Sequence, residues 1–133
     1  MIEKLSVPTS RKREMIDITR PVQEAAAKAG LKDGLCCVWA PHTTAGVTVN
    51  EGADPHVQAD ILQALARLVP ASGGYAHAEG NADAHIQSAL TGPGVTLPVD
   101  GGRLCLGTWQ KIFLCEYDGP RPREVWLRFV RLE

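Results

Sequence analysis

Four short apolar runs, Val95 to Val99, Leu104 to Thr108, Lys111 to Tyr117 and Val125 to Arg131, follow one another through the last third of the chain. Asp100-Gly101-Gly102 and Asp118-Gly119-Pro120 stand between them, supplying the backbone conformations that reverse a chain. Runs of this length, bounded by such turns, are strands that pair antiparallel. The last third therefore commits the protein to a largely antiparallel sheet, whose apolar face must be covered by what comes before it.

Upstream, Lys4 to Val7 and Arg13 to Ile18 alternate polar and apolar around Pro8-Thr9-Ser10, the pattern of a first antiparallel pair. Pro21 suits a first helical position; Val22, Ala25, Ala26 and Ala29 form one stripe, and Gly30 follows where a left-handed residue is wanted. Leu35 to Ala40 is an apolar run short enough for a strand buried on both faces, and Ala45 to Val49 is a β-branched strand. Asp54 caps a helix that starts at Pro55, carries Val57, Ile61, Leu65 and Leu68 on one side, and stops at Pro70. Asn81 is a plausible N-cap for a third helix running to Leu90 and closed by Gly92-Pro93-Gly94. Strands, helices and strands again, in 133 residues, predict one α+β domain over residues 1–133: a mostly antiparallel β-sheet sandwich with about three short helices.

A net charge of -1, with 22% charged and 5% aromatic residues, provides no electrostatic footprint for nucleic acid or an anionic membrane. Trp39, Trp109 and Trp126 lie in strand-like segments rather than on a basic stacking surface. No run of about 18 apolar residues exists to span a membrane, and the segment from Met1 lacks the apolar stretch of a signal peptide, so a cytoplasmic protein is expected. Cys36, Cys37, Cys105 and Cys115 sit in apolar runs without CxxC spacing, which predicts buried, reduced thiols.

Three constellations can carry chemistry. His42-Thr43-Thr44 with Asn50-Glu51 and Asp54 places an imidazole, two hydroxyls and carboxylates at strand ends, suited to a divalent cation or an oxyanion. The plainer reading is equally open, in which Asp54 caps, Asn50 turns and the threonines bond local backbone. His77, in the Gly-rich loop from Tyr75 to Gly80, and His85, in the first turn after Asn81, form the second group. A helix N-terminus disfavours imidazolium, so His85 is biased toward the neutral form, and three neutral histidines can hold a metal with an open position. The third is Leu106-Gly107-Thr108-Trp109-Gln110, where glycine permits close approach, tryptophan offers an apolar wall and glutamine reads a polar edge; a core tryptophan beside a bend is the alternative. His56, next to Pro55 at a helix start, looks solvent-facing.

His42-Thr43-Thr44-Ala45, Asn50-Glu51 with Asp54-Pro55 and Asp60, Tyr75-Ala76-His77, Gly80-Asn81 to His85-Ile86, and Leu106 to Ile112 together resemble the YjbQ-like family, in the family's order and over nearly the whole chain. The resemblance implies a small α+β domain that forms homotrimers and acts as a secondary thiamine-phosphate synthase, joining hydroxymethylpyrimidine diphosphate to a thiazole phosphate with release of pyrophosphate. Carried over residue by residue, it makes His42, His77, His85 and Glu51 the catalytic candidates and the three histidines the ligands of a divalent metal, zinc or magnesium. Thr43, Thr44, Asn50, Asn81, Thr108, Trp109 and Gln110 become substrate-binding candidates, with Asp54 as a further ligand or orienting carboxylate. The expected partner is a small phosphorylated metabolite, gripped with help from Arg103 or Lys111 of a neighbouring subunit. A metal-dependent hydrolase of a small phosphorylated or acylated metabolite, and a non-catalytic trimeric metal or small-molecule binder, are the other classes this residue set allows.

Overall fold

Along the last strand, β8 (Pro122–Arg131), Arg123, Val125 and Leu127 are buried while Glu124, Arg128 and Val130 are exposed, the period-two pattern of a sheet covered on one face. The computed structural model describes residues 1–132. In chain order the other elements are β1 (Glu3–Pro8), β2 (Glu14–Asp17), α1 (Thr19–Lys28), β3 (Gly34–Trp39), β4 (Ala45–Glu51), α2 (Pro55–Leu68), α3 (Ala82–Thr91), β5 (Gly94–Asp100), β6 (Arg103–Leu104) and β7 (Gln110–Glu116).

Eight strands make two antiparallel sheets, β1-β8-β3-β5-β6 and β2-β7-β4. Their inner faces share one core, with Val38, Leu97, Val125 and Leu127 from the larger sheet against Val47, Ile112 and Leu114 from the smaller. A second cluster lies on the other side of the small sheet, where Phe113, Cys115 and Tyr117 meet Ala84 of α3 and Leu62 and Leu65 of α2. The expected α+β sandwich with three helices is thus the observed fold. Among the described residues no helix is long and apolar enough to cross a membrane.

Five local expectations give way. β1 and β2 do not pair with each other: β1 joins β8 in the large sheet and β2 joins β7 in the small one. Thr9 holds that crossover, donating from Oγ1 to Glu116 and to the Arg121 carbonyl. The strand buried on both faces is β7, not β3, whose outward residues Leu35, Cys37 and Trp39 have no layer above them. Helix α1 begins at Thr19, two residues before Pro21, because the Asp17 carboxylate accepts the Thr19 N–H and starts the helix early. Strand β6 is two residues long rather than five, since the chain after Leu104 closes into a turn in which Gln110 Oε1 accepts the Gly107 N–H at 2.7 Å. Of the cysteines, Cys36 and Cys115 are buried, and burial pushes both thiols up to about 12, whereas Cys105 is exposed, against expectation.

Candidate functional site

The pairing of β4 with β7 decides where the motif residues can meet. Ala45 faces Glu116 at one end of this ladder and Glu51 faces Gln110 at the other. Six residue steps at ~3.4 Å each separate the ends by ~20 Å. His42-Thr43-Thr44 leads into the first end; Asn50, Glu51, Thr108, Trp109 and Gln110 gather at the second. Residues expected to converge are therefore divided, within one chain, between two ends of a rigid ladder.

At the first end stand the three candidate histidines, His42, His77 and His85. His85 and His77 face each other edge to face, ring centroids 5.2 Å apart at 70°. With Tyr75, Ala76, Ala82 and Ile86 they line an apolar pocket of about 340 Å³. On its other side His85 borders a cleft of about 310 Å³ that it shares with His42, Thr43, Ser88 and Pro93. His85 is thus the wall between two adjoining cavities. Its position follows from α3 resting closely on β4. A Cβ on Gly46 would come within 2.5 Å of the Gly92 carbonyl oxygen, and Ser88 donates to the Ala45 carbonyl at 2.9 Å.

His42 is held differently. Its Nε2 lies 3.0 Å from both the backbone N and the backbone O of Glu124, so it accepts that N–H in one tautomer or donates to that carbonyl in the other. Burial lowers its pKa, the Glu124 backbone bond partly opposes this, and the nearby Arg123 charge adds to the lowering. His42 accordingly faces the cleft as a neutral imidazole near pH 7, with Nδ1 turned away from the Glu124 backbone.

Behind it lies a buried ionic network that the sequence reading missed. Arg123 donates to Glu116 at 2.9 and 2.5 Å and to Thr44 Oγ1 at 2.8 Å, with both charged side chains almost fully enclosed. Burial pushes the Glu116 carboxyl up, but hydrogen bonds from Arg123, the Asp118 N–H and Thr9 outweigh it and leave the pKa lowered. The available signal was register: Arg123 occupies an inward position in line with Val125 and Leu127, and an inward arginine in a sandwich needs a buried acid. Thr44 is buried and engaged by this network, so of the two threonines only Thr43 offers its hydroxyl to the cleft.

Asn81 departs from its expected role. It occupies the N-cap position of α3 but its side chain makes no capping bond; Nδ2 donates to Asp118 at 2.9 Å and Oδ1 is buried without a partner. The amide is oriented by its donor side, because Asp118 is a carboxylate kept charged by Asn81, Arg121 and Lys12 in spite of burial. Helix α3 is anchored instead by Asp83, which receives Arg13 at 2.5 Å.

At the second end the carboxylates serve the backbone. Glu51 Oε2 accepts the N–H groups of Ala53 and Asp54, Asp54 caps α2 by accepting the His56 N–H at 2.9 Å, and Asn50 Oδ1 accepts the Glu51 N–H. Gly52 donates to the Trp109 carbonyl, tying this turn to the Thr108-Trp109-Gln110 loop. Trp109 is 64% exposed, which removes the core-tryptophan alternative, and Asp60 and His56 face solvent. Among the described residues no group of three or more His, Cys, Asp or Glu side chains is gathered to hold a metal.

Comparison with known proteins bears on the family and the fold. The family model described as UPF0047 protein YjbQ-like matches residues 3–132. The UPF0047 protein MJ1081 of Methanocaldococcus jannaschii is 43% identical over 98% of this chain and 94% of its own length. The UPF0047 protein YugU of Bacillus subtilis is 41% identical over 98% and 99%. A crystal structure of an uncharacterised YjbQ/UPF0047 protein from Clostridium acetobutylicum superposes with a TM-score of 0.94 at 44% identity, covering 96% of this chain and 99% of that one. The motif segments, the two-sheet architecture and these matches together place the chain in the UPF0047, or YjbQ-like, family.

Proposed function

We propose that the protein is a transferase of the secondary thiamine-phosphate synthase type, working as a homotrimer. The observation that carries this reading is the position of His85 between two adjoining cavities. The pocket with Tyr75 and Ile86 is apolar and suits a heterocycle; the adjoining cleft is also mostly apolar, but His42, His85 and the Thr43 hydroxyl on its wall supply the polar groups that a departing group would meet. Imidazole N–H groups there can donate hydrogen bonds to a departing pyrophosphate as its charge builds.

The 5.2 Å edge-to-face approach of His77 and His85 is an ordinary aromatic contact; were a divalent cation bound at this pocket, these two imidazoles would be the residues to hold it. A divalent cation held there would neutralise leaving-group charge. Any further ligand would have to come from another copy, since among the described residues no third His, Cys, Asp or Glu joins the pair.

Neither cavity holds the cationic side chains that two phosphorylated substrates require. Trp109, Gln110 and Lys111 stand ~20 Å away along the β4–β7 ladder, so they complete this site only if a neighbouring copy presents them. The purified protein, supplied with hydroxymethylpyrimidine diphosphate and thiazole phosphate, should form thiamine phosphate, and His77→Ala and His85→Ala should each abolish it. Mixing inactive His85→Ala with inactive Trp109→Ala subunits should restore part of the activity. Failure of every mixture would sink the shared site, and phosphoester turnover without the pyrimidine substrate would favour a hydrolase instead.

A second reading, a non-catalytic small-molecule binder, draws support from Thr44, Glu51 and Gln110, whose polar atoms are already used inside the chain. Absence of turnover together with saturable binding of a pyrimidine at the His77–His85 pocket would favour it.

A further inference from the structure

A cavity of about 560 Å³ lies away from the histidines, where the start of α1 meets β6 and the start of β7. Three basic side chains line it, Arg20, Arg103 and Lys111. Arg20 is matched by Glu24, one helical turn on, at 2.9 Å. Arg103 and Lys111 have no ion-pair partner among the described residues. Two positive charges from different strands thus enter one concavity, with Asp17 as the remaining acid on its wall.

The frame around them is built rather than incidental. Gln23 spans the pocket floor, donating to the Gly102 carbonyl and accepting the Leu104 N–H, which fixes β6 and hence Arg103 against α1. Thr19 Oγ1 accepts the Ile112 N–H at 2.8 Å and locks β7 to the helix start beside Lys111. The stem of Lys111 runs so close over Gly52 that any Cβ there would overlap it, so the glycine leaves the lysine a path toward the pocket. Each device holds a cation at the rim of a space of metabolite size.

We propose that this pocket binds the phosphate group of a small phosphate monoester, with Arg103 and Lys111 as the anion contacts. Phosphate is favoured over carboxylate because two separate cations match its higher charge and its larger number of acceptor oxygens. Within one chain the pocket lies apart from the histidine cleft, and phosphate binding to it is read separately from any reaction of the cleft, including one to which a neighbouring copy lends Lys111.

A nitrogen-15 NMR titration at constant ionic strength, with glycerol 3-phosphate as the probe and acetate as the control, tests this on the intact protein. Shifts should concentrate at Thr19 to Gln23, Arg103 to Leu106 and Lys111, and should be unaffected by His85→Ala. Arg103→Gln, at an exposed position, should weaken binding by about tenfold or more, the scale of a lost charge-assisted contact. Asp17→Asn keeps the acceptor for the Thr19 N–H and removes a repulsive charge, so it should tighten phosphate binding, a gain that misfolding cannot produce. Shifts centred on the histidine cleft or scattered over the surface, equal binding of acetate, or indifference to both substitutions would each overturn the assignment.

Discussion

Arg123 and Glu116 face each other inside the sandwich with side chains 3% and 0% exposed. A pair this enclosed costs much to form and more to break, because removing one partner strands the other charge away from water. Arg123→Ala should therefore cost ~3–5 kcal/mol, measured by chemical denaturation, and should also loosen Thr44 and the His42 loop that the pair supports. Its pH dependence follows from Glu116, whose folded pKa is lowered. The folded protein binds fewer protons than the unfolded chain, so the contribution is complete above the unfolded carboxyl value of about 4.3. It drains away as pH falls through the lower folded value, and Glu116→Gln should flatten that acid limb. His42 has the same sign for a different reason: burial first, and then Arg123, lower its pKa. Stability tied to it is full above about 6.5 and declines as pH falls through the folded value. In an NMR titration its resonance should move at lower pH than an ordinary histidine.

At the level of elements, tight approach and capping set the next expectations. Gly46→Ala would press a methyl group against Gly92 and Thr91 and lift the end of α3 from β4. A loss of ~1–3 kcal/mol is expected, together with a change in the His77–His85 pocket seen as altered histidine chemical shifts. Asp54→Ala removes the cap of α2 and should cost ~1 kcal/mol. Because α2 has no buried residue, that loss should appear as faster amide exchange in α2 rather than in the strands. This scale also marks where sequence reasoning succeeded. Asp54-Pro55 announced α2, Gly30 ended α1 with a positive φ of 71°, and Gly101-Gly102 turned β5 into β6. Each rests on a backbone demand that only a few residue types meet. It failed where the deciding partner is remote in sequence: Thr9 answers to Glu116, Asn81 to Asp118, and the doubly covered β7 cannot be told from β3 by its own residues.

For the whole molecule, the motif residues were legible one by one and their grouping was not. His42, His77 and His85 do border two contiguous cavities, whereas Glu51, Trp109 and Gln110 lie at the far end of a ladder whose register no local pattern reveals. The outer face of the large sheet tells a related story. Trp39 and Trp126 are register partners on its open side, with Lys4 Nζ 5.1 Å from the Trp126 ring, and Trp39 is half exposed. Trp109 stands in solvent in its loop. None of the three indoles belongs to either hydrophobic core cluster.

The intrinsic light emission of this protein is consequently a reporter of its surface rather than of its interior. The folded single chain should emit at long wavelength, and denaturant should shift that emission only slightly. Self-association that covers the open sheet should move it to shorter wavelength as protein concentration rises, with Trp39→Phe and Trp126→Phe together removing the shift. For this chain a fluorescence melt would miss unfolding, and a dilution series would see assembly.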